Sequence, residues 1–179
     1  MNFIVKLLQC LFCWRIKPDS EEKVKNADVI IGQSFGLRQD GPGKSNEALA
    51  KIVRGLNEKY KIPLVLQWEI ADCLPDLPIF YVTKEHRIKG EYLDTYEVLF
   101  QAKTICKKRG WKKAIILAHS DHHWRCMMVA KKLEFELIAI DTSSVPYDEL
   151  STQSWTKSVI RFIPREIVAR IVYLLTDRI

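Results

Sequence analysis

Glycine and proline are scarce in this sequence, which has seven of each among its 179 residues. Such counts exclude a collagen-like chain and a Pro-rich or Gly-rich disordered chain. No heptad repeat runs through the sequence, so a long coiled coil is excluded as well. Because 47% of the residues are hydrophobic, the chain can bury a core by itself. Its length matches a single globular domain of about 100–200 residues.

Cysteine is also sparse, and its count of five is odd. A secreted disulfide framework uses an even number, so a reducing compartment suits this chain better. Cys10 and Cys13 form a C-x-x-C pair, but no second Cys or His pair completes a zinc site. We therefore predict no metal at this pair, and a location that is cytoplasmic or peripheral at the inner face of a membrane.

No apolar run is long enough to span a membrane. The most hydrophobic stretch at either end is residues 2–17, whose apolar core of 14 residues contains Lys6 and Arg15. A spanning helix needs about 20 apolar residues, and the small-residue cleavage site of a signal peptide is missing. Residues 1–17 are therefore either an amphipathic segment on a membrane surface or an N-terminal helix packed on the domain. The apolar face of the first alternative consists of Ile4, Leu7, Leu8 and Leu11.

The chain has an excess of positive charge, with 28 Lys and Arg against 22 Asp and Glu, or +6. Such an excess is typical of proteins that bind nucleic acid or anionic membranes. The densest cationic stretch, 107–113, surrounds Gly110, and cations at the end of a helix complement its dipole. We interpret this stretch as a helix end and predict no nucleic-acid partner. The expected partner is a small anionic or nucleotide-like ligand.

Short apolar runs rich in Val and Ile alternate with longer segments of helical periodicity. The predicted strands are 27–31, 64–68, 79–82, 114–118 and 136–140, and the predicted helices are 45–60, 94–109, 122–133, 147–162 and 164–175. Pro164 suits the first turn of the last helix. This alternation predicts one α/β domain over residues 27–179. Its fold is a three-layer Rossmann-like parallel sheet flanked by helices, with a helical C-terminal cover.

Ligands of such folds bind beyond the carboxyl ends of the strands, so the residues that follow each strand are the candidates. After the first strand, Gly32, Ser34 and Gly36 belong to a loop that can direct backbone N–H groups at an anion, or can form a plain capped turn. The loop is not a Walker P-loop, because Arg38 stands where that motif needs its first glycine. After the second strand, Glu69 can bind a hydroxyl or act as a base, or can be a solvated loop acid.

Acidic residues follow the third predicted strand. Glu91 precedes Asp94, Thr95 and Glu97, which open a predicted helix. Asp94 or Thr95 can cap that helix, and Glu97 suits the position of a capping box. All four are ligand-site candidates as well, because the helix begins at the carboxyl edge of the sheet.

Three of the four histidines follow the fourth predicted strand, at positions 119, 122 and 123, together with Ser120 and Asp121. These groups can ligate a metal, although the sequence has no H-E-x-x-H motif, or can simply cap and solvate the loop. We favour a third interpretation, in which His122 and Arg125 lie one helical turn apart and bind a phosphate or carboxylate. The imidazole then offers a proton near neutral pH, and no metal is needed.

The stretch after the fourth strand resembles a known family. Residues 115–125 are similar to the hydrophobic strand and the His-x-x-Arg signature of the SanA/ElyC/YdcF domain of unknown function. The signature falls on His122 and Arg125. The resemblance covers roughly residues 27–141, because several short motifs follow one another in the family's order.

The acidic stretch carries a second part of the resemblance. Residues 90–102 are similar to the family's acidic residue followed by Asn-Thr-x-Glu-Asn. Thr95 and Glu97 match this pattern, Asp94 stands where Asn is usual, and Glu91 corresponds to the preceding acid.

The resemblance implies a Rossmann-like cleft in which His122, Arg125 and Glu91 are the catalytic candidates. It also implies a connection with bacterial envelope biogenesis or lipid-carrier metabolism. Residues and resemblance together predict a protein that binds a phosphate-bearing or nucleotide-like small molecule. Whether it is an enzyme stays open, and no particular cofactor is predicted. The alternatives are a membrane-surface scaffold without catalysis and a metal-dependent hydrolase.

Overall fold

In the computed structural model, which describes residues 3–179, five parallel strands form one sheet. Their bounds are β1 Val29–Gly32, β2 Leu64–Gln67, β3 Tyr81–Thr83, β4 Lys113–Leu117 and β5 Glu136–Ala139. The spatial order is β3-β2-β1-β4-β5, and each neighbouring pair is parallel. The predicted Rossmann-like α/β fold is confirmed.

Helices cover both faces of this sheet. Their bounds are α1 Phe3–Phe12, α2 Glu21–Lys25, α3 Lys44–Tyr60, α4 Trp68–Ala71, α5 Thr95–Arg109, α6 Ser120–Lys132 and α7 Val159–Leu175, and a 3₁₀ turn covers Ser154–Lys157. Apolar residues of α3 and α4 form the core on one face, and those of α5 and α6 form the core on the other. The molecule therefore has the three expected layers.

The central strands are apolar because both of their faces are buried. In β1, Ile30 packs toward the α3 side and Ile31 toward the α5 side. Ile115 and Ile116 of β4 alternate in the same way, and all four side chains are fully buried. A parallel strand that is covered on both faces has a continuous run of apolar residues in its sequence. These strands could therefore be predicted from sequence.

The C-terminal region departs from the prediction. A helix over 147–162 is expected, but the structure has only the 3₁₀ turn there, and α7 begins at Val159. The side chains of Asp148 and Ser151 each accept a hydrogen bond from the backbone N–H two residues further along the chain. Such bonds compete with helical hydrogen bonding. Because α7 begins early, Pro164 lies inside it and not in its first turn.

The N-terminal stretch forms α1, which packs against α7. Cys10 is fully buried, and Lys6 Nζ donates to the carbonyl of Ile179 at 3.0 Å. A helix packed on the domain is therefore what the structure shows, while Leu8 and Phe12 keep half or more of their surface exposed. None of the helices in residues 3–179 combines the length and apolar character that crossing a bilayer requires.

Candidate functional site

A cavity of about 440 Å³ lies at the carboxyl edge of the sheet. Its walls are formed by residues that follow β1, β2 and β3, by the starts of α5 and α6, by the 3₁₀ turn and by α7. The neighbouring strands β1 and β4 are followed by α3 and α6, which lie on opposite faces of the sheet. Open α/β sheets bind ligands at such a switch point, so the fold itself favours this cavity as the functional site.

A buried ion pair between α6 and α7 forms one wall of the cavity. Arg125 Nη2 donates to Glu166 Oε2 at 2.8 Å, and Arg125 Nε donates to both oxygens of Glu166 at 3.1 Å. Arg170 Nε donates to the same carboxylate at 3.0 Å. Burial by itself disfavours ionisation of Glu166, but the charge of Arg125 outweighs it and lowers the pKa of Glu166 to about 2. Arg125 and Arg170 therefore share a single carboxylate, and this buried cluster keeps an excess of one positive charge.

His122 lies at the centre of this wall and is uncharged near neutral pH. Its Nε2 is 3.3 Å from the Thr95 hydroxyl oxygen, and its Nδ1 is 3.5 Å from Glu166 Oε2. Burial, and then the charge of Arg125, lower the pKa of His122 below its ordinary value. The lowered pKa therefore favours a neutral imidazole, which both donates and accepts hydrogen bonds. That it offers a proton near neutral pH stays a prediction.

The Thr95 hydroxyl lies between His122 and Arg125 and contacts both. Arg125 Nη1 donates to the Thr95 hydroxyl oxygen at 3.0 Å, which leaves the hydroxyl hydrogen free to point at His122 Nε2. This direction requires the His122 proton on Nδ1, which lies 3.5 Å from Glu166 Oε2. Nδ1 also lies 3.3 Å from Arg125 Nη2, and with the proton on Nε2 instead, Nδ1 accepts from Arg125 while Nε2 donates to the Thr95 hydroxyl oxygen. The structure therefore brings together three of the predicted residues, and adds Glu166, in one chain of polar contacts.

The opposite wall comes from the ends of β1 and β2. The backbone N–H of Ser34 donates to Gln67 Oε1 at 3.1 Å, and Gln67 Nε2 lies 3.5 Å from Glu69 Oε1. Within residues 3–179, Glu69 Oε2 and Gln33 Nε2 are buried and have no hydrogen-bond partner. Burial raises the pKa of Glu69 to about 7. Ser34 and Glu69 thus line the cavity as predicted, together with two glutamines that the sequence did not single out.

The glycine-containing loop after β1 does not present a row of free N–H groups. Phe35 N donates to Asn46 Oδ1, and Lys44 N at the start of α3 donates to Asp148 Oδ2, both at 2.8 Å. Arg38 also binds Asp148 through two hydrogen bonds. A protein carboxylate therefore occupies the place where an anion-binding loop would hold its ligand. Gly36 lines the cavity and has a positive φ of 75°.

Gly32 has a structural explanation. It is the last residue of β1 and is buried, and it does not line the cavity. A Cβ at this position would lie 2.8 Å from Leu66 Cδ2 and 3.2 Å from Ile70 Cδ1, so a larger residue would make these two core side chains shift.

The acidic residues around the start of α5 separate into two groups. Asp94 lines the cavity, caps α5 by accepting from Glu97 N at 2.9 Å, and pairs with Arg178. Glu97 points elsewhere and pairs with Arg87 at 2.7 Å. Burial opposes ionisation of Glu97, but Arg87 lowers its pKa to about 2. Glu91 is exposed and does not line the cavity, so the structure does not bring it to the other catalytic candidates.

The remaining residues at the start of α6 also serve the fold. Asp121 pairs with Arg15 at 2.7 Å and accepts a hydrogen bond from the Tyr147 hydroxyl at 2.6 Å. Neither Asp121 nor Ser120 lines the cavity. His119 stacks on Phe35 with ring centroids 4.0 Å apart.

The histidines do not converge on one point. His123 Nε2 lies 2.8 Å from the carbonyl of Ile116, away from His119 and its stacked ring. Burial lowers the pKa of His119 and of His123 to about 4. Among the described residues, no group of three His, Cys, Asp or Glu side chains is arranged to hold a metal ion.

Glu166 and Arg165 are the principal residues that sequence reasoning missed. Arg165 lines the cavity and lies over the Trp155 ring, with its guanidinium carbon 3.8 Å from the ring centroid. A signal for Glu166 did exist, because it is the only acid in α7 and lies four residues from both Phe162 and Arg170 on the apolar side of the helix. An acid on an apolar helix face implies a buried cation partner. No local pattern shows that this partner is Arg125.

Comparison with known proteins gives no match: neither a family model, nor a curated protein, nor a solved structure is similar to this chain.

Proposed function

We propose that this protein binds a small phosphate-bearing or nucleotide-like molecule in the cavity at the carboxyl edge of the sheet. The observation that carries the proposal is the pair of buried polar atoms, Gln33 Nε2 and Glu69 Oε2, which lack partners and belong to residues that line the same cavity. Leaving such groups unpaired costs about 1–3 kcal/mol each. Both atoms are shielded in the cavity wall, so a polar ligand supplies the missing hydrogen bonds once the Gln33 amide and the Glu69 carboxyl rotate toward it, and this offsets the cost.

The polar wall suits a ligand that both donates and accepts hydrogen bonds. The amide of Gln33 donates, and Glu69 donates when protonated and accepts when ionised. Because the pKa of Glu69 is about 7, both forms are populated near neutral pH. On the opposite wall, His122 and Thr95 offer a neutral imidazole and a hydroxyl. A ribose or a nucleobase edge presents complementary groups.

The rim of the cavity suits the anionic part of such a ligand. Lys84 and Arg165 line the cavity and are exposed, and no ion pair is formed by either within residues 3–179. In this proposal they are the principal phosphate-binding cations, because they are exposed whereas Arg125 is held by Glu166 in the cavity wall. Trp68 and Trp155 lie in the same walls and provide flat apolar surfaces on which a base can stack.

A chemical step is a further part of the proposal. His122 is neutral and lies against the Thr95 hydroxyl, so it can accept a proton from Thr95 or from a ligand hydroxyl that replaces it. Glu166 would stabilise the resulting imidazolium. This assignment keeps His122 as a catalytic candidate and makes Arg125 a positioning residue. It accords with the envelope or lipid-carrier role that the resemblance to the SanA/ElyC/YdcF domain implies.

The test compares ligand binding by two arginine variants. Arg165 lies over Trp155 at the cavity, and Arg109 lies in the same way over Phe80, outside the cavity. In a thermal-shift titration with UDP and with inorganic phosphate, we expect the wild type and Arg109→Ala to be stabilised. For Arg165→Ala we expect about tenfold weaker binding, because a charge-assisted contact is lost.

A second variant tests the polar wall. Gln33→Leu removes the unpaired amide, and we expect it to lose the stabilisation by UDP. The proposal would be contradicted if wild type, Arg165→Ala and Gln33→Leu reached half of their thermal stabilisation at the same UDP concentration. It would also be contradicted if neither UDP nor phosphate stabilised the wild type.

A further inference from the structure

The outer face of α1 is apolar and exposed. Val5, Leu8 and Phe12 follow one another at spacings of three and four residues, so they lie on one side of the helix. All three are exposed, and Phe12 keeps 74% of its surface accessible. The opposite side, which contains Cys10, packs on the domain. A surface helix of a globular protein normally shows polar residues to solvent, so this arrangement indicates a surface that is used.

The exposed side of α7 has the same character. Arg161, Arg165, Val168, Val172 and Leu175 follow at spacings of four, three, four and three residues, and all five are exposed. They form one stripe along the helix, cationic at its beginning and apolar toward its end.

The two helices run in opposite directions against each other. Lys6 Nζ binds the carbonyl of Ile179, and Arg170 Nη1 binds the carbonyl of Cys13 at 2.8 Å. In the segment after α1, Arg15 pairs with Asp121, while Arg161 and Arg165 lie at the start of α7. Cations therefore lie near the end of α1 and at the start of α7, and exposed apolar side chains lie along both helices.

Exposed acidic side chains are few beside this surface; Asp177, just after α7, is exposed and pairs with Lys132 at 2.7 Å. No Asp or Glu precedes Asp19 in the sequence, and Glu166 is the only acid in α7. Glu166 is buried and paired, so it adds no exposed negative charge. An apolar surface with an excess of positive charge complements an anionic bilayer, because the apolar side chains enter the acyl boundary while Lys and Arg bind lipid headgroups.

The cavity opens beside this surface. Val168 and Val172 belong to the exposed stripe of α7 and also line the cavity, one helical turn apart. Arg165, one turn before Val168, lines it as well. A molecule that enters past these residues meets a cation and then two apolar side chains at the surface.

We propose that the exposed faces of α1 and α7 lie in the interface of an anionic bilayer and that the ligand is an amphiphile. Its phosphate-bearing head occupies the cavity, and its apolar tail lies along Val168 and Val172. The identity of the ligand rests on the function proposed above, whereas bilayer docking rests on α1 and α7 alone.

Flotation with vesicles tests the docking. The full chain is mixed with vesicles of phosphatidylcholine alone or with phosphatidylglycerol added. We expect the wild type to float with the anionic vesicles only. Phe12→Glu and Leu175→Glu place a charge in the apolar boundary, so we expect about tenfold weaker partitioning for each. Arg161→Gln removes a cation outside the cavity and is expected to weaken partitioning about fivefold.

The control variant is Ile88→Glu, which puts the same charge on an equally exposed side chain of the loop after β3. It is expected to float like the wild type. A wild type that stays with neither vesicle, or helix variants that float like Ile88→Glu, would overturn the docking. Self-association of the wild type in sedimentation, abolished by Phe12→Glu without any flotation, would overturn it in favour of a second copy of the chain.

A pair of phosphate esters tests the ligand class. Methyl phosphate and octyl phosphate, the latter below its micellar concentration, differ only in the tail. We expect octyl phosphate to bind at least about tenfold more tightly, and Val172→Ser to reduce that ratio. Equal binding of the two esters would overturn the amphiphile while leaving the proposed function in place. Binding of neither, by a protein that still floats, would overturn the proposed function and leave the docking in place.

Discussion

At the scale of single residues, Glu69 shows how burial and hydrogen bonding compete. The Glu69 backbone N–H and the Ser34 side chain lie near the carboxyl and favour its ionised form. Burial disfavours that form more strongly and raises the pKa to about 7. The folded protein therefore holds a proton on Glu69 at pH values where the unfolded chain, with a pKa near 4.5, has released it.

Glu69→Gln is expected to change the pH dependence of stability. As pH rises from 5 to 8, folded Glu69 must lose its proton, so the wild type loses about 2.5 kcal/mol of stability that the variant keeps. The free energy of unfolding of Glu69→Gln minus that of the wild type, measured by urea denaturation, should rise by this amount. The buried histidines contribute equally to both proteins and cancel.

Glu97→Gln is the matched control for that experiment. Glu97 is also buried, but Arg87 lowers its pKa to about 2, so it is ionised in the folded and unfolded protein above pH 5. Its difference from the wild type should stay nearly constant between pH 5 and 8. A constant difference for Glu69→Gln as well would show that Glu69 is ionised throughout.

At the scale of secondary-structure elements, the ends of α5 were predictable from local chemistry. Asp94 accepts from Glu97 N at the beginning, and Gly110 closes the helix with a φ of 72°. This left-handed conformation costs a residue with a Cβ roughly 1–2 kcal/mol. Nothing lies within 4 Å of a Cβ built on Gly110, so the cost would be conformational and not steric.

Two glycine substitutions separate these effects. Gly110→Ala is expected to lower the free energy of unfolding by about 1 kcal/mol, because alanine disfavours the left-handed conformation. Gly55→Ala, inside α3 and equally open around its Cβ, should raise it by about 0.5–1 kcal/mol because alanine favours helix. Urea denaturation measures both. Changes of the same sign would contradict the assigned end of α5.

At the scale of the whole molecule, Arg170 joins parts of the chain that are far apart in sequence. It is fully buried, pairs with Glu166, and donates to the carbonyls of Cys10, Cys13 and Asp121. Its guanidinium also lies over the rings of two tryptophans at positions 14 and 124. One side chain thus attaches α1 to α6 and α7.

Arg170→Met is expected to release α1 from the domain. Loss of a buried, fully hydrogen-bonded charge should cost about 3 kcal/mol or more of stability. Hydrogen exchange of backbone amides in residues 5–12 should become faster than in α3. Arg178→Met, which removes a partly exposed pair with Asp94, is the control and should cost below about 1 kcal/mol. Unchanged protection of α1 in Arg170→Met would contradict this role.

Local patterns were enough to predict the strands, most of the helices and the cap of α5. They also placed His122 and Arg125 one turn apart, because helical spacing follows from sequence alone. The ionisation of His122 could not be predicted from sequence. Its pKa depends on complete burial beside Arg125, and burial is a property of the packed molecule.

The amino-acid sequence by itself determined the parallel α/β sheet, the carboxyl-edge position of the site, and the apolar character of α1, since each depends on residues close together in the chain. Only the tertiary structure decided what the charged side chains contact. It paired Arg125 with Glu166, which is 41 residues away in the sequence, and Asp148 with the backbone at the start of α3, which is 104 residues away. It also left Gln33 Nε2 and Glu69 Oε2, both on residues of one cavity, without a hydrogen-bond partner in residues 3–179. The energy of an ion pair depends on the distance between the two charges in space, and the number of residues between them in the sequence does not give that distance.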